Sequence, residues 1–413
     1  MKKASPFAVI ILAAGKGSRM KSAKPKVMHE IAGLPILNWL ISRVEGLNPE
    51  KIIVVTAPNM NDVIEAAAPH TCVIQKEQLG TGDAVKPAMA ALKDFSGKVL
   101  VLLGDEPFVD IDILQNMLDT DGPSVMAIEP PSNKGLGRVI TDKDFNLVEI
   151  VEQKDCDEEQ KKITLSNAGN FCFEAKKLTE WLDALSNNNA QGEYYLTDVP
   201  KIAQANGVKT KVIKAKTSMI WGINTKSELA DHEIFAQMML RERAMSNGVT
   251  MIDPDSVTLS FDTQLDEDVT LEPNVFIGKG VIIAKNVTIH AFSYIEGTEI
   301  EEGAEIGPFA RIRPKSHIGK KASIGNFIEV NRSIIEEGAK AKHVSYLGDT
   351  ILGAKSNVGA GTVIANYDGF FKHQSQIGNN VFIGSNSTII SPVIIGDNAI
   401  IAAGSNVNKD IPG

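Results

Sequence analysis

Through the first half of the chain, short apolar runs alternate with stretches of helical length. FAVIILAAG, KIIVVTA, KVLVLLGD and SVMAIEP are rich in aliphatic residues, and PILNWLISRVEGL and GTGDAVKPAMAALKDF fall between them. From Phe7 to about Thr225 this alternation predicts an α/β domain, a mostly parallel sheet covered by helices, with ligands bound at the carboxyl ends of its strands. KSELADHEIFAQMMLRERAMS, residues 226 to 246, lacks Gly and Pro and reads as one helix that Asn247-Gly248 stops. Its apolar positions, Leu229, Ile234, Phe235, Met238, Met239 and Met245, are expected to pack onto a neighbour. Beyond Val249 the pattern changes to an aliphatic residue followed by Gly or a small residue about every six positions: VFIGKG, SHIGKK, ASIGNF, SNVGAG, VFIGSN, VIIGDN. That period predicts a parallel β-helix, with one aliphatic per strand pointing inward and small residues at the corners. The rhythm lapses at about Ala365 to Ser375, where a loop is expected to project.

Length agrees with this division, since 413 residues exceed one ordinary core. The formal net charge of -9 argues against nucleic acid and anionic membranes as partners. Cys72, Cys156 and Cys172 are too few and too scattered for a disulfide framework or a zinc motif, and read as thiols of a reducing compartment. The apolar run near the N-terminus passes into GKGSR, and no run reaches the roughly 20 residues a membrane span needs, so a cytoplasmic location without membrane insertion is expected.

Against the acidic background, LAAGKGSRMKSAKPKV places five cations, Lys16, Arg19, Lys21, Lys24 and Lys26, just after a strand. Gly15 and Gly17 let backbone N–H groups approach phosphate oxygens there. The loop matches neither GxxxxGK[ST] nor GxGxxG. In VLVLLGDEPF, Asp105 ends a second strand, where a carboxylate suits Mg²⁺ shared with substrate phosphates, or equally caps a helix. EQLGTGDA is a further glycine loop entering a helix, able to read a base edge.

These stretches, with GLGR, IVEQKD, NNNAQGEYYLTD, HVSYLGD and NVGAGT, resemble the sugar-1-phosphate nucleotidyltransferases. More narrowly they resemble the bacterial bifunctional N-acetylglucosamine-1-phosphate uridyltransferase/glucosamine-1-phosphate N-acetyltransferases, from about Phe7 to the last residue. The resemblance implies a Rossmann-like nucleotidyltransferase domain at 1–225, a linker helix at 226–248 and a left-handed hexapeptide-repeat β-helix acetyltransferase domain at 249–413. It implies uridylyl transfer from UTP to N-acetylglucosamine-1-phosphate, acetyl transfer from acetyl-CoA to glucosamine-1-phosphate, a homotrimer, and a product used for cell-wall and lipopolysaccharide precursors. Arg19 and Lys26 would neutralise the triphosphate beside Leu12, Ala13, Gly15 and Gly17. Gln75, Gly80 and Thr81 would face uracil, Asp105 and Asn224 (in WGINT) would hold Mg²⁺, and Gly137, Glu152 and Asn167 would contact the sugar near Thr197.

In the second half the resemblance makes His343 the acetyltransfer base, with Glu329 as its orienting partner. An imidazole suits that task because it exchanges a proton near neutral pH. Arg313, Asn331, Tyr346, Asn357 and Lys372 would hold glucosamine-1-phosphate. Ala360, Asn366, Tyr367, Ser385 and Ala403 would line the acetyl-CoA groove. The chain departs from the family at Leu103 (usually Tyr), at NAGN 167–170 (usually NTG) and at Asn331 (usually Lys, with Arg332 adjacent here). It stops at Gly413, where a tail that contacts coenzyme A is usual. Two alternatives stay open: a uridyltransferase whose β-helix only trimerises, and a non-catalytic sugar-nucleotide-binding protein.

Overall fold

A computed structural model of the chain describes residues 5–130, 132–216 and 222–413; Trp221 of WGINT lies outside them. The chain divides into two compact units between His232 and Glu233, within the helix Lys226–Ser246.

In the first unit the strands follow the spatial order Lys211–Lys214, Ser124–Ile128, Ser166–Glu174, Lys98–Leu103, Phe7–Leu12, Lys51–Thr56, Thr71–Ile74. Both faces of this sheet are covered. Ala8 and Ile10 belong to one core and Val9 and Ile11 to the other, so the strand reads as a continuous apolar run rather than an alternating one. The expected parallel strands are present, with Phe7–Leu12 parallel to both neighbours. The sheet is nevertheless mixed: Ser166–Glu174 is inserted antiparallel between Lys98–Leu103 and Ser124–Ile128, and Arg138–Thr141 pairs with Leu147–Val151 as an antiparallel hairpin. The polar opening SNAGN and a register shift between Asn167 and Phe171 hide the long strand from its apolar pattern.

The second unit winds short parallel strands into three ladders, each strand sending one aliphatic inward, as with the fully buried Ile277, Ile283, Ile289 and Ile295. Each such side chain contributes about 1.5–3 kcal/mol of burial. The corners differ from expectation. Many carry large residues in the left-handed region, among them Phe292, Phe309 and Phe327 at φ 61, 55 and 58°. Their rings stack at centroid distances of 4.9 and 5.1 Å, an attraction that offsets part of the backbone cost. Between Val363–Ala365 and Ser375–Ile377 the coil opens into the projecting loop, and the ladder resumes with Val363 opposite Thr388.

The helix Lys226–Ser246 forms as its propensities predict, and it buries Ala236 and Leu240 together with polar side chains rather than the expected methionine stripe. Ile234, Met238 and Met245 are exposed, whereas Gln237 and Arg241 are buried. Gln237 exchanges two hydrogen bonds with the Leu259 backbone, at 2.7 and 2.9 Å, and Arg241 Nη1 donates to Pro254 O at 2.6 Å. The carboxamide thus satisfies a strand edge as another strand would. No helix among the described residues is long and apolar enough to cross a membrane.

Candidate active sites

Strands Phe7–Leu12 and Lys98–Leu103 end side by side, Leu12 opposite Leu103, and Gly104 N donates back to Leu12 O at 2.9 Å. The segments leaving them border a cavity of about 490 Å³ lined by Leu12, Ala13, Gly15, Lys26, Gln75, Gly80, Thr81 and Asp105. Gly17 is left-handed, and a Cβ there would stand 2.8 Å from Lys26 Cβ, so its lack of a side chain lets Lys26 close against the loop.

Four of the sequence-derived residues converge here. Lys26 Nζ donates to Asp105 Oδ2 and, at 3.1 Å, to Asn224 Oδ1; Arg19 Nη2 donates to the same Asn224 oxygen at 2.8 Å. The lysine ammonium therefore lies between a carboxylate oxygen and a carboxamide oxygen. Such a hard, all-oxygen pair fits Mg²⁺, which takes one or two protein ligands and completes its shell with water and substrate phosphate. Among the described residues no group of three or more His, Cys, Asp or Glu forms a metal cage.

Glu106, which sequence reasoning passed over, follows Asp105 directly. It is 4% exposed, and burial pushes its carboxyl up to about 8. At neutral pH it is uncharged, anchored by Asn170 Nδ2 donating to Oε2 at 2.6 Å, so the negative charge facing Lys26 rests on Asp105 alone. Asn170 Oδ1 also accepts from Leu103 N at 3.3 Å, and a side chain on Gly169 would collide with Leu103. Two departures from the family pattern, Leu103 and NAGN, thus touch each other.

The glycine loop before the helix Thr81–Ala91 is sewn to the segment 193–196. Tyr194 N donates to Leu79 O at 2.7 Å, Gly82 N to Tyr194 O at 2.8 Å, and Leu196 N to Thr81 Oγ1 at 3.0 Å. Gln75 Nε2 donates to Gly80 O and to Asp83 Oδ2, at 3.1 and 2.8 Å, which fixes the loop from below. Gly80 has φ 111°, and a Cβ would stand 2.6 Å from Tyr194 O, a backbone atom that cannot move aside. Gly80→Ala is expected to displace this loop and to lower the stability of the first unit by about 1–3 kcal/mol in denaturant titrations.

Gly137, Glu152, Asn167 and Thr197 form a separate cluster. Thr197 Oγ1 donates to Glu152 Oε1 at 3.2 Å, Asn167 N donates to Gly137 O at 2.9 Å, and a Cβ on Gly137 would meet the Glu152 carboxylate. Burial raises the Glu152 carboxyl, partly countered by the Thr197 hydroxyl.

In the second unit the strands Ser323–Asn331 and Lys340–Gly348 run unbroken around one corner, pairing Asn326 with His343 and Glu329 with Tyr346. Two residues beyond the register partners Ala341, Val358, Ile383 and Ile401 stand His343, Ala360, Ser385 and Ala403. The expected base and three expected coenzyme A residues therefore share one edge of successive coils. The partner expected for the histidine is different, however. Glu329 accepts from Arg313 Nη1 at 2.9 Å, and His343 Nδ1 instead lies 3.3 Å from Asn326 Oδ1. Asn357 pairs with Lys340, whereas Tyr346 pairs with Val363. Asn366, Tyr367 and Lys372 belong to the projecting loop, where Tyr367 and Lys372 bridge.

Asn331 is 3% exposed, and its Oδ1 accepts from Arg332 Nη1 at 3.0 Å. Arg332 holds Asp349 in a two-point pair, and Asn366 Nδ2 donates to the same carboxylate. The Arg332 hydrogen bonds, foremost, keep Asp349 below its ordinary 3.8. A depressed carboxylate stabilises the fold above the unfolded value, and that contribution is lost as pH falls through the folded one. Wild type is therefore expected to be more stable than Asp349→Asn above about pH 4, by about 1 kcal/mol or less for a partly solvated pair, with the gap closing at lower pH in denaturant titrations.

The sequence profile of the MobA-like NTP transferase domain matches residues 9–186, that of the bacterial transferase hexapeptide (six repeats) 374–409, and that of the GMPPB C-terminal domain 294–371. The chain is 49% identical over 414 residues to the bifunctional protein GlmU of Rhizorhabdus wittichii, covering 98% of this chain and 92% of the relative. Against its counterpart in Sphingopyxis alaskensis the figures are 48% over 415 residues, 98% and 92%. Against that of Zymomonas mobilis subsp. mobilis they are 43% over 417 residues, 98% and 93%.

Proposed function

Since this chain belongs to the family of the bifunctional protein GlmU, we propose that it makes UDP-N-acetylglucosamine by two reactions, one in each unit. The observation that carries the first is the convergence of Arg19, Lys26, Asp105 and Asn224 beside the strand-end cavity. A phosphate oxygen of N-acetylglucosamine-1-phosphate bonds to the α-phosphorus of UTP, the bond from that phosphorus to the bridging oxygen breaks, and pyrophosphate leaves. The chain's work is positioning and charge neutralisation. Gly15 and Gly17 bring backbone against the triphosphate, and Arg19 and Lys26 offset its charge. Gln75, Gly80 and Thr81 hold the base, and the cluster of Gly137, Glu152, Asn167 and Thr197 takes the sugar. Mg²⁺, held by Asp105 and Asn224, supplies positive charge to the phosphates when bound.

In the second unit His343 takes the proton lost by the amine of glucosamine-1-phosphate as that nitrogen bonds to the thioester carbon of acetyl-CoA. The C–S bond breaks, and the coenzyme A thiolate takes up a proton. Arg313, Tyr346, Asn357 and Lys372 hold the sugar phosphate. Ala360, Asn366, Tyr367, Ser385 and Ala403 line the coenzyme groove. A cytoplasmic homotrimer whose product feeds cell-wall and lipopolysaccharide synthesis completes the reading. Assays of the separate half-reactions test it: pyrophosphate release from UTP and N-acetylglucosamine-1-phosphate with Mg²⁺, and thiol release from acetyl-CoA and glucosamine-1-phosphate. Absence of the first rejects the uridyltransferase; absence of the second alone leaves the β-helix without its enzyme role.

A further inference from the structure

Three cations border the face that carries Tyr346, and they are held differently. Arg313 has one carboxylate partner, Glu329, and 42% of its side chain is exposed. Lys372 belongs to the projecting loop and is exposed. Arg332 is fixed. It occupies a left-handed corner at φ 50°; its Nε and Nη2 donate at 2.6 Å to the two oxygens of Asp349, and its Nη1 donates to Asn331 Oδ1. A guanidinium has five N–H groups. With three engaged, one remains on each terminal nitrogen, and 29% of the side chain is exposed.

Asn331 occupies the register column of Arg313 and Gly348, yet its side chain is buried and turned to Arg332. At Gly348 a Cβ would stand 2.5 Å from the Tyr346 hydroxyl and 2.7 Å from Asn366 Nδ2, so these two polar groups flank the column just beside the guanidinium's support. Lys372 acts on Asp349 as a second positive charge, which leaves the Arg332–Asp349–Lys372 cluster net positive.

We infer that Arg332, preset by Asp349 and supported by Asn331, takes the phosphate of glucosamine-1-phosphate in the acetyl-transfer site, while Asn331 positions it without touching ligand. The inference rests on the acetyltransferase reading above. A planar donor fork locked in place suits phosphate better than a mobile ammonium, because its orientation is settled before the ligand arrives.

The test uses the full chain and two acceptors, glucosamine-1-phosphate and phosphate-free glucosamine, with thiol release from acetyl-CoA, and calorimetric titration of glucosamine-1-phosphate. Arg332→Ala is expected to raise the KM and the Kd for glucosamine-1-phosphate about 30-fold, the size of a lost charge-assisted hydrogen bond, with kcat little changed. Arg332→Lys should recover part of that loss. The rate with glucosamine should match wild type, which a variant with a damaged coil would not achieve. Wild-type affinity for glucosamine-1-phosphate in Arg332→Ala, or an equal loss with both acceptors, overturns the inference. Calorimetry keeps the two readings apart: wild type that binds the sugar phosphate without releasing thiol defeats the acetyltransferase reading, and the Arg332→Ala titration still decides this one.

Discussion

Asp105→Ala should lower pyrophosphate release by about a thousandfold or more, while thiol release in the other unit stays at the wild-type rate. The size follows from how little else could take over. Asp105 is the carboxylate that meets Lys26, and the two side chains are 13% and 15% exposed, so their interaction is only partly screened by water. Without it, Asn224 is left as the one oxygen of the pair, and Lys26 loses the partner that aims it. Glu106 cannot substitute, because its carboxyl is buried and tied to Asn170. Asp105→Asn separates charge from shape: it keeps the volume beside Gly222, where a Cβ would stand 2.8 Å from Asp105 Oδ2. If the asparagine variant retained wild-type activity with Mg²⁺, the role assigned to the carboxylate charge would be wrong.

The second large effect belongs to His343. His343→Ala should reduce acetyl transfer by about 10²–10⁴-fold, the usual range for a general base, and leave uridylyl transfer intact. The imidazole is exposed on the edge shared with Ala360, Ser385 and Ala403 and makes no contribution to the buried aliphatic core, so its removal should not disturb the coil. Asn326→Ala should give a smaller loss, about tenfold, because the carboxamide at 3.3 Å orients the ring rather than taking the proton. Thiol release measured across pH distinguishes the roles: a lost base removes the limb that rises with pH, and a lost orienting group lowers the whole curve.

What could be read from the sequence follows the physics of each element. Inward aliphatics such as Ile277 and Ile283 recur every six positions because each coil face needs one, so the period is visible in the residues themselves. The corners are not visible that way: a stack of Phe292, Phe309 and Phe327 meets the left-handed requirement through contacts between successive coils. The basic loop and Asp105 are legible because each follows an apolar strand, whereas Lys26 is distinguished from the other four cations of that loop only by the family resemblance. The burial of Asn331 and the pairing of His343 with Asn326 depend on register between coils, which no local pattern encodes. In the helix Lys226–Ser246 the spacing of apolar residues points to the methionines, yet Met238 and Met245 are exposed while Ala236 and Leu240 are buried beside Gln237, whose carboxamide meets the Leu259 backbone groups.

The projecting loop also bears on how such a solenoid can change. Residues 366–374 leave and re-enter at one corner, while Thr350 still pairs with Ser375 and Val363 with Thr388. Tyr367 and Lys372 close the excursion on itself, and Asp368 accepts from the backbone N–H groups of Phe370 and Phe371 at 2.7 Å. The ladders thus keep their register across the excursion, which Asn366 ties back to the coil at Asp349. A corner of this kind is a graft point, where a segment of different length or specificity can be exchanged while the ladders on either side keep their register.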